Sequence, residues 1–210
     1  RLAGVAAAVL ACTLAGPASG QQGPGARLND EAVGRALKAG VEFLYSQMNA
    51  QGHWDAPNRM AAAMQDQGQD SKQYGGWTAL ATYALLSAGE DWQLRPQLRK
   101  ALKFLDSIET EGTYATGLRA HVWAALPERS ADINFHKALR TDGGKLVDGQ
   151  NPRGAYRYLL GQSDQWDNSC TQYGSLGAWE CAKRGYPVPD NYWERLKEHF
   201  LRDQNSDGGW

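Results

Sequence analysis

The sequence predicts an all-α fold, an α/α toroid of repeated helical hairpins present as a partial ring of about seven helices, and three observations lead there. A short turn recurs along the chain, ending each time in a glycine, one residue and an aromatic ring. Between the turns, helices with one apolar face alternate with helices that are apolar nearly all round. Period-two alternation of β-branched residues, the pattern of a strand, is missing throughout.

Taken in chain order, Leu2 to Leu14 is an apolar stretch, followed by Gly16-Pro17 and the small residues Ala18-Ser19-Gly20. This pattern reads as a secretory signal over residues 1–20, cleaved after Gly20 and leading to export to the periplasm or beyond. The apolar run is shorter than the roughly 20 residues a spanning helix needs, so the mature chain is expected to hold no transmembrane helix. A permanent N-terminal anchor, or a lipoprotein signal at Val9-Leu10-Ala11-Cys12, are the alternatives. Residues 21–30 read as a linker and residues 31–210 as the repeat domain, expected to be truncated because Trp210 completes a turn with no helix after it.

The first helix shows an apolar stripe at Ala32, Val33, Ala36, Leu37, Gly40, Val41, Leu44, Tyr45 and Met48, with Arg35, Lys38 and Glu42 off it. Pro96 pre-sets the first turn of a second one-sided helix bearing Leu98, Ala101, Leu102, Leu105 and Ile108. His136 falls on another, and Asp190 is placed to cap the last, with Trp193, Leu196 and Phe200 as its stripe. By contrast Trp77–Leu86, Tyr114–Leu126 and Tyr173–Ala182 are apolar on every side, apart from charges at Arg119 and Glu180, so they belong inside. Gly89 and Gly185 supply left-handed caps, and aligning them superposes Ala81 on Gly177, small residues that let inner helices approach closely.

The turns are Gln204 to Gly208 and Trp210, Gln150 to Gly154 and Tyr156, a degenerate copy with Gly112 and Tyr114, and Gln47 to Gly52 and Trp54 with one residue inserted. Charge excludes one class of partner: 22 basic residues stand against 23 acidic, with no basic block to bind nucleic acid. Cys170 and Cys181 on one helix would stand about 16 Å apart, beyond disulfide reach, and read as buried apolar residues.

The Gln…Gly-x-aromatic turns resemble the QW repeats of squalene-hopene cyclases and the related turns of prenyltransferase-like toroids. Residues Asp167 to Tyr173, Leu176 to Trp179, Gly185 to Pro189, Trp193 and Gln204 to Trp210 are similar to secreted bacterial proteins carrying these repeats. The resemblance spans about residues 31–210 and implies that the turn residues tie helix to helix, giving stability rather than chemistry.

The family's chemistry is not matched by residues. A cyclase of this type protonates an alkene with an Asp-x-Asp-Asp string, which does not occur; Asp164 and Asp167 are the nearest acids, and Asp167 reads first as a helix cap. The zinc loop of protein prenyltransferases is approached at Asp148, but Gln150 occupies the cysteine position, so no metal ligand set is assigned. Cys170-Thr171-Gln172 is not the thioester string of complement-like toroids. Of the histidines His53, His121, His136 and His199, His121 alone lies where a central cavity would be. No catalytic or cofactor-binding residue is assigned, and the candidates for lining a cavity are Tyr74, Trp77, His121, Asp167, Gln172 and Tyr173.

The expectation is an exported protein that binds or scaffolds, its partner an apolar small molecule or a protein. One rival is a terpene cyclase or prenyl-transferring enzyme whose acid or metal ligands lie outside these residues. The other is a carbohydrate-active enzyme, which needs carboxylates paired across a cleft; Asp164, Asp167 and Glu180 are its candidates.

Overall fold

The computed structural model describes residues 29–56, 71–127, 133–161 and 164–210. The chain divides into two units, Arg1–Ala36 and Leu37–Trp210. The predicted signal and residues 21–28 of the linker lie outside the described residues. In the first unit Asn29 opens a helix by accepting from the backbone N–H of Ala32 at 2.8 Å.

Seven α-helices carry the described residues: α1 Asp30–Ser46, α2 Gly76–Ser87, α3 Pro96–Ser107, α4 Thr113–Ala125, α5 Phe135–Gly149, α6 Asn168–Lys183 and α7 Asp190–Asp203. Among those residues the only β feature is a single bridge between Gly112 and Leu159. None of the described helices is long and apolar enough to cross a membrane.

The alternation of textures becomes an alternation of position. The all-apolar helices α2, α4 and α6 pack side by side with α4 in the middle, and α5 packs on α4 and α6 while α3 packs on α2. Ten of the residues of α4 are buried, whereas α3 buries only Leu98, Ala101, Leu102 and Leu105, the stripe read from its sequence. Glycine sets the inner spacing. A β-carbon at Gly177 would lie 2.9 Å from the Cα of Gly117, and one at Gly117 would lie 3.0 Å from the carbonyl carbon of Tyr173. At the other end of α2 and α6, Gly89 and Gly185 adopt φ of 87° and 80°. The N–H groups of Glu90 and Tyr186 then reach back to Leu85 and Cys181, closing both helices.

Three turns share one geometry. The indole N–H of Trp54 donates to the carbonyl of Leu44 at 2.8 Å, the hydroxyl of Tyr156 to that of Leu146 at 2.6 Å, and the indole N–H of Trp210 to that of Phe200 at 2.8 Å. Each ring thus bonds a carbonyl in the last turns of its outer helix, where intrahelical donors run out. Asn49, Asn151 and Asn205 each accept from the N–H of the glycine three residues on, at 3.0, 2.9 and 3.0 Å. Gly52, Gly154 and Gly208 hold φ of 88°, 82° and 88°, a conformation that suits glycine.

Three expectations are corrected. Met48, not Gln47, stands six residues before Trp54, where Gln150 and Gln204 stand before their rings, so no residue is inserted in the first turn; Gln47 is exposed and its side chain bonds its neighbour Ser46. Gly112 and Tyr114 form no fourth copy, because Gly112 is extended at φ −86° and Tyr114 already lies in the first turn of α4. There Arg119 replaces the ring, donating to the carbonyls of Leu105 and Ile108 at 3.0 and 2.6 Å. Asp190 is the first residue of α7 rather than its cap, and Pro189 precedes the helix without a side-chain hydrogen bond. The face that α7 buries is centred on Tyr192 and His199, with Trp193 and Phe200 half-buried beside them.

Candidate functional site

The middle helix locates the site, because α4 has neighbours on both sides and still leaves one line uncovered. Tyr114, His121 and Ala125 are its only residues not buried, and their spacing places them on one face. Tyr83 of α2 borders that line, its ring 5.3 Å from that of His121. From α6 come Tyr173, 4.8 Å from the ring of Tyr114, and Glu180, whose carboxylate lies 3.8 Å from His121 Nδ1. Tyr158, in the loop before α6, adds a third ring 6.0 Å from Tyr114.

Polar groups at the start of the inner helices hold this strip. The Asp167 carboxylate caps α6, accepting from the Cys170 N–H at 2.9 Å and from the Ser169 hydroxyl, and Ser169 in turn receives the Tyr114 hydroxyl. Burial works against its charge, but the hydrogen bonds from Ser169 and Cys170 together keep its carboxyl below the ordinary value. Gln73 ties the rim by donating to the Tyr158 carbonyl at 2.7 Å and accepting from the Ala115 N–H at 3.2 Å. Further along, burial lowers the pKa of His121 although Glu180 opposes it, so the ring is neutral at pH 7 and offers one donor and one acceptor. Glu180 is also held by Lys183 at 3.1 Å.

Of the residues expected to line a cavity, Asp167, Gln172 and Tyr173 share the first turns of α6. His121 lies lower on α4 beside Glu180. Tyr74 stands elsewhere, its ring edge-on to Phe104 at 5.6 Å, and Trp77 packs against the buried cluster of Trp54, Ala81, Leu85, Leu98 and Ala101. Sequence reasoning missed Asp55, buried before α2, which accepts from the Gly75 N–H at 3.0 Å and from the Thr78 N–H and hydroxyl at 3.1 and 2.6 Å. Its signal was present: an acid directly after the turn aromatic and before an apolar helix.

Chemistry elsewhere is accounted for by structure. The position a metal-binding cysteine would need holds Gln150, which donates to the carbonyls of Gly154 and Tyr192 and accepts from Arg195 at 2.7 Å. Among the described residues no group of three His, Cys, Asp or Glu side chains is placed to hold a metal. Cys170 and Cys181 are buried free thiols, both pushed up to about 12, chiefly by that burial. A separate cavity of about 480 Å³ opens between α3 and α5, over Arg119 and Trp123. Its floor is committed, since Arg119 is locked on Asp142 at 2.9 and 2.6 Å and Trp123 donates to the same carboxylate at 3.0 Å. Comparison with family models, curated proteins and solved structures finds no match to this chain.

Proposed function

We propose that this chain is an exported α/α-toroid repeat protein of the squalene-cyclase and prenyltransferase type that binds its partner without cyclase or prenyl-transfer chemistry. The observation that carries the reading is how the candidate carboxylates are used. Asp167 is spent on capping α6 and Glu180 is held by Lys183 beside the neutral His121, so both carboxylates are engaged in contacts of the fold rather than presented as the free acid an alkene requires. What remains along the strip is a set of tyrosine rings and a neutral histidine, surfaces suited to the faces of an apolar or flat ligand.

The test separates binding from turnover. The protein is incubated with squalene, and separately with farnesyl diphosphate plus Mg²⁺ and Zn²⁺, and products are sought by mass spectrometry; recovery of unchanged substrate is expected. A fluorescent isoprenoid alcohol is then titrated, with Tyr83→Ala and His121→Ala weakening its binding by about tenfold each, the effect of losing roughly 1.4 kcal/mol. Any cyclised or transferred product would overturn the reading.

A further inference from the structure

The cavity of about 480 Å³ between α3 and α5 has walls of opposite charge. The end of α3 contributes Asp106, and the start of α5 contributes Lys137. Between them the surface is apolar, with Leu105 and Ile108 on one side and Ala138 on the other. The floor adds no net charge, because Arg119 is closed on the Asp142 carboxylate at 2.9 and 2.6 Å. Arg119 and Trp123 each stand two positions from His121 on α4, about 200° round a helix of 3.6 residues per turn. The cavity therefore opens on the side of α4 opposite the tyrosine strip.

The wall charges are not spent on the fold. Glu109, which also lines the cavity, is held by Lys145. Among the described residues neither Asp106 nor Lys137 has an ion-pair partner, so an acid and a base face one space without closing across it. Each also stands at the wrong end of its helix. Asp106 lies in the last turn of α3, where the helix dipole is negative, and Lys137 in the first turn of α5, where it is positive. Asn134 caps α5 by accepting from the Lys137 N–H at 3.0 Å, which leaves the lysine ammonium itself uncompensated. Two local rules broken at facing positions of one cavity are the mark of a site kept for a ligand, because a bound molecule of matching polarity relieves both.

We propose that this cavity binds a small zwitterion, an amino acid or a short peptide. Its ammonium lies against Asp106 and the carbonyl end of α3, and its carboxylate against Lys137 and the amide end of α5. Its apolar part rests on Leu105, Ile108 and Ala138. The volume falls within the roughly 300–1,000 Å³ of small-molecule sites. The residues differ from those of the tyrosine strip, so either binding reaction can fail without the other.

The test is calorimetric titration of the full chain with leucine, leucyl-leucine, N-acetylleucine and leucinamide. At least one of the two zwitterions is expected to bind, the tighter of them telling free amino acid from peptide, and removal of either end charge is expected to weaken binding by about fivefold or more. Asp106→Asn weakens the zwitterion to the same degree and makes N-acetylation cost nothing further; Lys137→Gln does the same for amidation. Without ligand, both variants are expected to keep the parent Tm or exceed it by about 1–3 °C, since each removes a charge its helix dipole opposes. Absence of binding by both zwitterions at millimolar concentration overturns the proposal, as does binding that ignores the capping of either end. A loss of Tm in either free variant also overturns it, by assigning that charge to the fold.

Discussion

Gly117→Ala places a methyl group where α4 and α6 touch, and the structure gives the size of the conflict. The new β-carbon lies 3.0 Å from the carbonyl carbon of Tyr173, and closer still to its oxygen, inside an intact helix that has no side chain to swing aside. Ordinary contact needs about 3.4–4.0 Å, so α6 must retreat by most of an ångström or the carbonyl must tilt out of its helix. Overpacking of a tight core costs about 1–3 kcal/mol, and a backbone-to-backbone conflict belongs at the upper end. Alanine returns about 1 kcal/mol of helix propensity over glycine, leaving a net loss of about 2 kcal/mol. For a domain of this size that lowers Tm by about 4–8 °C. Gly144→Ala is the control. It sits in α5 with nothing within 4 Å of its β-carbon, so only the propensity gain remains and Tm rises by about 2–4 °C. Both are read by thermal denaturation followed at 222 nm. A Gly117→Ala protein as stable as its parent, beside a stabilised Gly144→Ala, would refute the close approach of the two inner helices.

Asn49→Ala removes the acceptor for the His53 N–H at 3.1 Å and the donor to the Asp55 carbonyl at 3.1 Å, costing about 2 kcal/mol in urea unfolding, while exposed Gln47→Ala stays within about 0.5 kcal/mol. Arg119→Ala leaves Asp142 charged and fully buried and costs about 3–5 kcal/mol, whereas Arg119→Met with Asp142→Leu recovers most of that loss in the same assay. Burial depresses His53, His121 and His199 below 6.5, so the unfolded chain takes up their protons first. Their contribution is complete above pH 6.5 and is lost as pH falls through the lowered values; a urea midpoint that rises on acidification from pH 7 to 5 would contradict it.

Helix texture was legible because it depends on residues close in sequence. The all-round apolar run of Tyr114–Leu126 can only be an inner helix, and the stripe of α3 maps onto its buried residues. The first turn was misregistered because Gln47 looks like the glutamine of the other copies, although the recurring feature is Asn-x-x-Gly at Asn49, Asn151 and Asn205. Gly112 and Tyr114 have the spacing of a turn, but Arg119, seven residues after Gly112, does the work of the ring through a bond no local pattern reveals. The strip beside α4 was partly named through His121 and Tyr173, while Tyr83 and Tyr158 join it only because separate segments meet in space.

The ring-to-carbonyl bonds have an evolutionary corollary. Because each turn closes on its own outer helix, the number of residues between its aromatic and the next inner helix is not set by the turn itself. That number differs within this one chain: residues 55–75 follow Trp54 before α2, and only residues 157–167 follow Tyr156 before α6. Those stretches all arrive at the starts of inner helices, beside the tyrosine strip. New loops can therefore be inserted, lengthened or exchanged at the rim of the candidate site while the stacking of hairpins stays as it is, which makes the rim the place where relatives of this chain would diverge in what they recognise.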